Sequence, residues 1–192
     1  MPGVKIDPKD VTACLVTRGD VDMDPIIESL PYDEYIVYDN SWRDPDYKTF
    51  GRYAAAHEAE TQYVYFQDDD CIFRHHHVLH HLHVPGWMTA VWGHGADPAG
   101  YEDIAIFPGG AIVEKALVDR AFLKYLTAGF PMDDEFFYYC DYVFGCLTPH
   151  VQVHLPFEIR DVAYNGRRLA DEPWAREAKA EVAARARAVR DA

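Results

Sequence analysis

Three adjacent carboxylates, Asp68, Asp69 and Asp70, directly follow an apolar, β-prone run at residues 63–67. On an extended backbone successive side chains point to opposite faces, which predicts Asp68 and Asp70 on one side and Asp69 on the other. Two like charges in one small space disfavour each other's ionisation unless a cation neutralises them. Since hard cations such as Mg²⁺ or Mn²⁺ take oxygen ligands, the pattern predicts a metal site at the carboxyl end of a buried strand.

Other kinds of acidic segment fit the sequence less well than a metal site. Solvated loops and helix caps also contain acidic triplets, but the apolar residues 71–73 follow here, so the triplet interrupts a buried run. A calcium-binding helix-loop-helix needs further oxygen ligands and a glycine at fixed offsets, and Ile72 and Phe73 stand there instead. A phosphatase that uses Asp-x-Asp as nucleophile and acid would carry a hydroxyl residue shortly afterwards, and none follows closely.

Length and composition indicate one globular domain. The 192 residues are 49% hydrophobic and 14% aromatic, which is enough for a single core with ligand sites at its edge. We expect residues 1–10 to be a lead and residues 165–192 to be a mobile turn and a terminal helix. The formal net charge is -14, and residues 1–166 carry 11 basic against 27 acidic side chains, which argues against sequence-independent binding to duplex nucleic acid.

Signals for export or membrane insertion are missing from the sequence. Residues 1–10 contain no apolar h-region, and no uninterrupted apolar stretch approaches the ~20 residues that a bilayer span requires. Four cysteines lie in apolar segments without the spacing of metal ligands: Cys14, Cys71, Cys140 and Cys146. These features predict reduced core thiols in a cytoplasmic protein.

Apolar segments alternate with helix-forming segments along the first seventy positions. Strands are predicted over residues 11–17, 35–38 and 63–67, and helices over 24–30 and 48–59. This order predicts an α/β domain with a mainly parallel central sheet flanked by helices. The carboxyl ends of these three strands should line one edge of the sheet: Thr17 and Arg18, Asp39, and Asp68 to Asp70.

A histidine-rich segment at residues 75–83 follows the acidic triplet. On a helix two pairs would lie one turn apart and could bind a soft metal: His76 with His80, and His77 with His81. No glutamate stands between them in the zinc-hydrolase pattern, and the spacing of Val78 and Leu82 favours a surface helix with a polar histidine face. The charge of such a face would respond to pH near neutrality.

Gly109 and Gly110 interrupt an apolar strand predicted over residues 104–113. Paired glycines let a ligand or another backbone come close, and a plain tight turn is the alternative. Further strands are predicted over 87–92 and 151–156, and further helices over 115–126 and from 171 onward. The chain has neither Gly-x-Gly-x-x-Gly nor Gly-x4-Gly-Lys-Ser/Thr. The sequence therefore lacks the main motif that would identify a dinucleotide-dependent oxidoreductase or a kinase.

Another predicted helix, over residues 132–144, begins with three acids: Asp133, Asp134 and Glu135. Acids at this position suit the positive end of the helix dipole, so capping explains one or two of them. Asp134 would share a helical face with Tyr138 and Asp141. A carboxylate at a helix start over a ligand cleft could also be a general base, and both interpretations stay open.

Two features near the carboxyl terminus could contact a ligand. His154 ends a strand-like stretch and could return to the metal, or be an ordinary packed residue. Arg167 and Arg168 form the only concentrated positive charge beside an acidic body, so they could clamp phosphates or belong to a solvated hinge. The terminal helix after them carries an apolar stripe: Ala175, Ala178, Val182, Ala186 and Val189.

In these features the chain resembles the small nucleotide-sugar-dependent glycosyltransferases of the GT-A type. The most specific part runs from Gly51 to Ala56 and on through residues 63–70, which is similar to the helix and the Asp-x-Asp strand of such enzymes. Asp133-Asp134 resembles their later acidic pair. The resemblance extends from Val11 to the terminal helix and implies a single GT-A (Rossmann-like) domain.

The resemblance also implies an activity and a set of site residues. The activity is metal-dependent transfer of a sugar from a nucleoside-diphosphate sugar to an acceptor hydroxyl. Mn²⁺ or Mg²⁺ would bind Asp68 and Asp70, with His154 as a late candidate for a third ligand. Asp134, next to Asp133, would be the base of an inverting reaction. The donor would be held by Thr17, Arg18, Asp39 and Arg52 at the nucleoside, by Asp69, by Gly109 and Gly110 near the sugar, and by Arg167 and Arg168 at the diphosphate.

Several questions stay open at this stage. Related chains often carry a histidine after the position of Pro173, where Trp174 and Ala175 stand here. The acceptor could be a glycan, a protein, a small molecule or a modified nucleic acid, and retention is an alternative to inversion. A sugar-phosphate nucleotidyltransferase would carry a Gly-rich, basic loop after the first strand, and residues 17–20 are too short for one. A non-catalytic binding module on the same fold is the third hypothesis.

Overall fold

Eight strands and six helices occur in residues 5–44, 46–92, 103–160 and 173–192, the parts of the chain that the computed structural model describes. The strands are β1 (Val11–Thr17), β2 (Glu34–Asp39), β3 (Tyr63–Gln67), β4 (Cys71–Ile72), β5 (Met88–Trp92), β6 (Ala111–Glu114), β7 (His150–His154) and β8 (Glu158–Ile159). The helices are α1 (Asp24–Ile27), α2 (Gly51–Glu58), α3 (His76–Leu82), α4 (Lys115–Thr127), α5 (Asp134–Leu147) and α6 (Ala175–Asp191). Short 3₁₀ turns, Pro8–Asp10 and Lys48–Phe50, precede β1 and α2.

Six of the strands form one mixed, mostly parallel sheet in the order β2-β1-β3-β6-β5-β7. β1 is parallel to β2 and β3, and β5 is parallel to β7, whereas β6 runs antiparallel to β3 and β5. Thr17 pairs with Asp39, and Leu15 pairs with Gln67, so the carboxyl ends of the first three strands meet at one edge. The predicted α/β class and this edge are confirmed.

Apolar side chains fill the space on both faces of this sheet. On one face α2, α4, α5 and α6 join β1, β3, β5 and β6 in the larger cluster of buried residues. On the other face a smaller cluster connects the sheet to α3 and to Tyr32. β1 and β3 are buried along their whole length, which explains why both read as near-continuous apolar runs in the sequence.

The terminal helix α6 packs its predicted apolar stripe inward. All five residues of the stripe are buried: Ala175, Ala178, Val182, Ala186 and Val189. No helix in the described ranges combines the length and the apolar composition that a bilayer crossing needs.

The strand predicted over residues 104–113 begins later, at Ala111. Gly110 adopts a φ of 109° that side-chain-bearing residues rarely adopt, and its N–H donates to the carbonyl of Phe107 at 2.8 Å. This turn separates residues 104–107 from the sheet. The chain therefore enters β6 antiparallel to β3, which a simple alternation of strands and helices does not predict.

The histidines of α3 form the predicted polar face only in part: His77 and His81 are exposed, and the other two are not. His76 and His80 are buried, and their rings pack against Tyr32, with His76 also against Tyr65. His80 Nε2 lies 3.1 Å from Tyr32 Oη, within hydrogen-bond distance. Burial lowers the pKa of His76 to about 3 and that of His80 to about 4, so both rings are neutral and pack as aromatic groups. His77 is exposed, as predicted.

Replacing His76 with Phe is expected to make the protein more resistant to acid. The folded state holds His76 neutral, whereas the unfolded chain binds a proton near pH 6.5, so its contribution to stability is complete above that pH and decreases below it. Between pH 7 and pH 5 the wild type should lose about 2 kcal/mol of unfolding free energy through this group. Urea unfolding at both pH values measures the loss, with His77→Phe as the exposed control; an equal loss in His76→Phe would contradict the assignment.

Candidate active site

The acidic triplet forms a turn between β3 and β4, and not the extended backbone on which the alternation of its side chains was predicted. β3 ends at Gln67, and the N–H of Cys71 donates to the carbonyl of Asp68 at 3.3 Å. The neighbouring strand β6 begins at Ala111, opposite Phe66, so it offers no partner to the residues after Gln67. Instead the chain turns, and β4 pairs with β8 in a second, two-stranded sheet. The three carboxylates are therefore not positioned by strand alternation.

The buried amide side chain of Gln67 stabilises this turn. Gln67 is fully buried, its Nε2 donates to the carbonyl of Cys71 at 2.6 Å, and its Oε1 accepts the Tyr65 hydroxyl at 2.7 Å. A buried polar side chain costs free energy unless its partners are present, so these bonds fix the turn closely. Only the presence of a glutamine at the end of an apolar strand indicates this role in the sequence.

Arg52 is the nearest cation to the first acid of the triplet. Its side chain, on α2, is 4% exposed, and Nη2 donates to Asp68 Oδ1 at 2.7 Å. Nη1 lies 3.9 Å from Asp141 Oδ2 on α5, and Asp141 Oδ1 accepts the hydroxyl of Tyr53 at 2.5 Å. The predicted contact of Arg52 with the nucleoside therefore competes with two internal acids. Asp141 belongs to the site although the sequence placed it only on the helical face of Asp134.

Carboxylates are crowded at the turn. The pKa of Asp68 is raised to about 7, mainly by burial; Arg52 opposes the rise, and the charges of Asp141 and Asp70 add to it. Burial, with Asp70 next, raises the pKa of Asp69 to about 6. The side chain of Asp68 is still 34% exposed, so the group is open to a ligand on one side. A bound cation would relieve this repulsion, as the sequence predicted.

The chemistry of the turn fits a divalent cation that shares its ligands with a phosphate. Mg²⁺ and similar ions are usually held by one or two carboxylates together with substrate phosphates, not by an all-protein cage. In the described ranges no three His, Cys, Asp or Glu side chains form a preformed metal cage. The Asp70 carboxylate is less engaged than that of Asp68: the hydrogen bond it accepts in this part of the chain comes from Cys71 Sγ, at 3.3 Å.

His154 is not brought to the acidic turn. It is the exposed last residue of β7, and the sheet order places β7 three strands away from β3. Three strand spacings amount to about 14 Å, too far for its imidazole to share an ion with Asp68 and Asp70. The sheet order therefore gives no support to His154 as a third ligand, and that role stays a prediction.

A basic residue that the sequence interpretation missed lies beside the turn. The backbone N–H of Arg160, just after β8, donates to the carbonyl of Asp70 at 2.7 Å, and its Nη1 lies 3.4 Å from the carbonyl of Asp69. Nη1 also donates to the carbonyl of Asp22 at 2.8 Å. The contact depends on the pairing of β4 with β8, so nothing local in the sequence marks it. Arg167 and Arg168 lie outside the described residues.

The ends of β1 and β2 lie at the same edge. Thr17 is opposite Asp39, and each accepts a backbone N–H of the turn that follows it: Thr17 Oγ1 from Gly19 at 3.1 Å, and Asp39 Oδ1 from Ser41 at 2.8 Å. Arg18 is exposed beside them. Three of the four predicted nucleoside-binding residues are thus brought together, and their contact with a nucleoside stays a prediction.

Packing explains both glycines that were predicted to approach the sugar. A Cβ on Gly110 would lie 2.2 Å from the hydroxyl oxygen of Tyr65, and one on Gly109 would lie 2.6 Å from the ring of Phe157. Other protein atoms therefore occupy the space that the missing side chains leave. The approach of a sugar to Gly109 and Gly110 stays a prediction.

Asp133 is the amino-terminal cap of α5. Its Oδ1 accepts the N–H of Phe136 at 2.9 Å, and its Oδ2 accepts Nη1 of Arg185, on α6, at 2.7 Å. Capping thus accounts for Asp133, one of the two alternatives that the sequence left open. Asp134 is exposed and makes no hydrogen bond or ion pair within the described part of the chain. Of the acidic pair, only Asp134 is available to a substrate.

A kink in α5 fixes the direction of the turn that carries Asp134. Tyr139 leaves the helical conformation, with φ −122° and ψ 22°. The hydroxyl of Thr49 lies 2.8 Å from the carbonyl oxygens of both Phe137 and Tyr138, groups that the kink exposes. The first segment of α5 is thereby attached to the chain just before α2.

Replacing Asp133 with Ala is expected to lower the unfolding free energy by about 1–3 kcal/mol, because a helix cap and a charge-assisted bond to Arg185 are both lost. Donor affinity should stay within about twofold of the wild type, since the lost bonds stabilise the fold and do not contact a substrate. Urea unfolding measures the effect, with Asp119→Ala on α4 as the exposed control. Unchanged stability together with lost turnover would return Asp133 to the catalytic residues.

The sheet order, the acidic turn that ends β3 and the two-stranded β4–β8 sheet define the GT-A fold. The chain is similar to glucosyl-3-phosphoglycerate synthase from Mycobacterium tuberculosis, solved with Mn²⁺, uridine diphosphate and phosphoglyceric acid. The TM-score is 0.52 at 12% identity, over 92% of this chain and 78% of that one. At this identity the likeness shows the fold.

Two further solved structures are more distant. The same synthase with Mg²⁺ and uridine diphosphate gives a TM-score of 0.47 at 13% identity, over 92% of this chain and 79% of that one. A mannosyltransferase from Pyrobaculum calidifontis with GDP-Man and Mn²⁺ gives 0.44 at 18% identity, over 80% and 58%. No protein-family model matches the sequence, and no curated protein matches it.

Proposed function

We propose that this protein is a metal-dependent glycosyltransferase that moves a sugar from a nucleoside-diphosphate sugar to an acceptor hydroxyl. The observation that carries the proposal is the acidic turn at the carboxyl end of β3, where Asp68, Asp69 and Asp70 crowd at the ligand-binding edge of a GT-A fold. The neighbour with a TM-score of 0.52 was solved with Mn²⁺ and uridine diphosphate, which supports the same pair of ligands here.

The donor would lie along the edge formed by β2, β1 and β3. Its nucleoside would contact Thr17, Arg18 and Asp39, and its diphosphate would reach the acidic turn, where the Asp70 carboxylate is less engaged than that of Asp68. Mn²⁺ or Mg²⁺ held there would neutralise the charge that develops on the departing diphosphate. Arg160 is a second described cation beside the turn, after Arg52, and the predicted clamp of Arg167 and Arg168 would add to it.

Asp134 would be the general base. Its carboxylate would take the proton of the acceptor hydroxyl while that oxygen bonds to the anomeric carbon and the bond to the diphosphate oxygen breaks, its electron pair leaving with the nucleoside diphosphate. The exposure of Asp134, and the cap and kink that hold its segment, support this role. Attack from the face opposite the leaving group would invert the anomeric configuration.

A sugar-phosphate nucleotidyltransferase is less consistent with the structure. Its basic, glycine-rich loop would have to lie between β1 and α1, and that connection contains only residues 18–23, with one glycine, Gly19. A non-catalytic module would keep the fold and bind the donor without turnover, so the assay described next separates it from an enzyme.

The direct test is release of nucleoside diphosphate from a panel of UDP- and GDP-sugars with Mn²⁺ or Mg²⁺, in parallel with an EDTA control. We expect at least one donor to be hydrolysed or transferred, and the release to stop with EDTA. Donor-dependent thermal stabilisation without any release would favour the non-catalytic module. A protein that neither binds nor turns over any donor would contradict the proposal.

A further inference from the structure

A single buried cation lies between two acids that come from different elements of the site. Arg52 Nη2 bonds Asp68 at 2.7 Å, whereas Nη1 is 3.9 Å from Asp141. The guanidinium is almost completely buried, and in the described part of the chain its Nε and Nη1 have no hydrogen-bond partner. Arg52 thus makes one close bond and one looser contact, and the balance between them is not fixed by further bonds.

The second acid is itself held in place. The hydroxyl of Tyr53 donates to Asp141 Oδ1, which leaves Oδ2 to face Arg52. Asp141 lies on the segment of α5 after the kink, and Asp68 lies in the metal turn. Charges this close and partly buried interact more strongly than charges in water, so the contact with Asp141 weakens the hold of Arg52 on Asp68.

We propose that Arg52 is the resident counter-ion of the acidic turn, and that its division between Asp68 and Asp141 sets how tightly the turn binds a divalent cation. The proposal rests on the cation site of the proposed function. Arg52 and Asp141 are then positioning residues: they act through the Asp68 carboxylate and need not touch the donor. A nucleoside contact by Arg52 would instead leave the binding of a cation alone unchanged.

Two substitutions should shift Mn²⁺ affinity in opposite directions. Arg52→Met removes the competing cation and frees Asp68, so Mn²⁺ should bind about tenfold more tightly. Asp141→Asn leaves Arg52 entirely to Asp68, so Mn²⁺ should bind about threefold more weakly. If Asp141 acts only through Arg52, adding Asp141→Asn to Arg52→Met should change the affinity by less than about twofold.

The experiment titrates the purified protein with MnCl₂ alone, without nucleotide, and follows free Mn²⁺ by electron paramagnetic resonance. Arg187→Met and Asp103→Asn, which break an ion pair between α6 and residue 103, are the matched controls and should change the affinity by less than about twofold. Thermal unfolding in EDTA and in Mn²⁺ is the second readout, since Arg52→Met should gain more from Mn²⁺ than the wild type does.

Arg52→Met leaves two half-buried acids without a counter-ion and could fail to fold. In that case the variant Tyr53→Phe replaces it. Without the hydrogen bond from Tyr53, the Asp141 carboxylate attracts Arg52 more strongly. We therefore expect Mn²⁺ to bind about twofold more tightly, opposite to the effect of Asp141→Asn. Shifts in the same direction, unchanged affinities or additive effects in the double variant would overturn the inference and leave the proposed function intact. A wild type that binds Mn²⁺ neither alone nor together with uridine or guanosine diphosphate would overturn the cation site itself, and the inference with it.

Discussion

Replacing Asp70 with Asn is expected to lower kcat/KM for the donor by about a thousandfold. The Asp70 carboxylate is less engaged by the protein than that of Asp68, since Asp68 is bonded to Arg52 and Asp70 accepts the weak Cys71 thiol donor in the described chain. A cation that neutralises the leaving diphosphate contributes several kcal/mol to transition-state stabilisation, and a thousandfold loss corresponds to about 4 kcal/mol.

The comparison with Asp68 makes this prediction sharper. Asp68→Asn should cost less than Asp70→Asn, because the Asp68 carboxylate is shared with Arg52, and Asp119→Asn on α4 should cost nothing measurable. Steady-state kinetics over a range of Mn²⁺ concentrations would measure all three variants. An Asp70→Asn variant that keeps more than a tenth of wild-type kcat/KM would exclude Asp70 as a principal ligand.

Replacing Asp134 with Asn is expected to lower kcat by about a thousandfold while donor affinity stays within about twofold. Removal of a general base costs roughly 10² to 10⁴ in rate, and Asp134 makes no bond to the described chain whose loss would disturb the fold. Single-turnover kinetics with saturating donor, together with donor binding followed by thermal stabilisation, would separate the two quantities.

Glu135→Gln is the matched control for Asp134. Glu135 is in the same first turn of α5 but accepts a hydrogen bond from Arg185 at 3.2 Å, so its loss should affect stability more than rate. Unchanged turnover in Asp134→Asn would remove Asp134 from the mechanism. A product with retained anomeric configuration would leave the residue in the site but rule out its role in an inverting attack.

Local patterns predicted the features that depend only on neighbouring residues. The apolar runs that became β1 and β3, and the acids that interrupt the run after β3, were recognisable because a strand covered on both faces needs apolar side chains throughout. The acidic start of α5 was recognisable for a similar reason, since caps and dipoles act within one turn. These features were enough to predict the fold class and the edge at which the site lies.

Features that depend on distant contacts were not predictable. Arg160 reaches the acidic turn only because β8 pairs with β4, and the ion pair of Arg52 with Asp141 requires α2 and α5 to pack on the same face of the sheet. The burial of His76 and His80 depends on Tyr32, which lies more than forty positions earlier. A lone sequence shows that such groups could be paired, but not with which partner.

Helix α5 carries residues of both the proposed catalytic step and the proposed counter-ion contact. The same helix carries Asp134 before its kink and Asp141 after it, and Thr49 stabilises the kink between them. The base and the second acid of the counter-ion contact are therefore held by one element. A substitution at Thr49 should for that reason alter turnover and Mn²⁺ affinity together, whereas Asp134→Asn should alter turnover alone.

The most direct test of the central claim is a crystal soaked with MnCl₂ and either uridine or guanosine diphosphate, with diffraction data recorded at the manganese absorption edge. The account predicts an anomalous peak that contacts the Asp70 carboxylate on one side and the diphosphate oxygens on the other. A nucleotide bound without a peak at the turn, or a peak only elsewhere on the molecule, would contradict it.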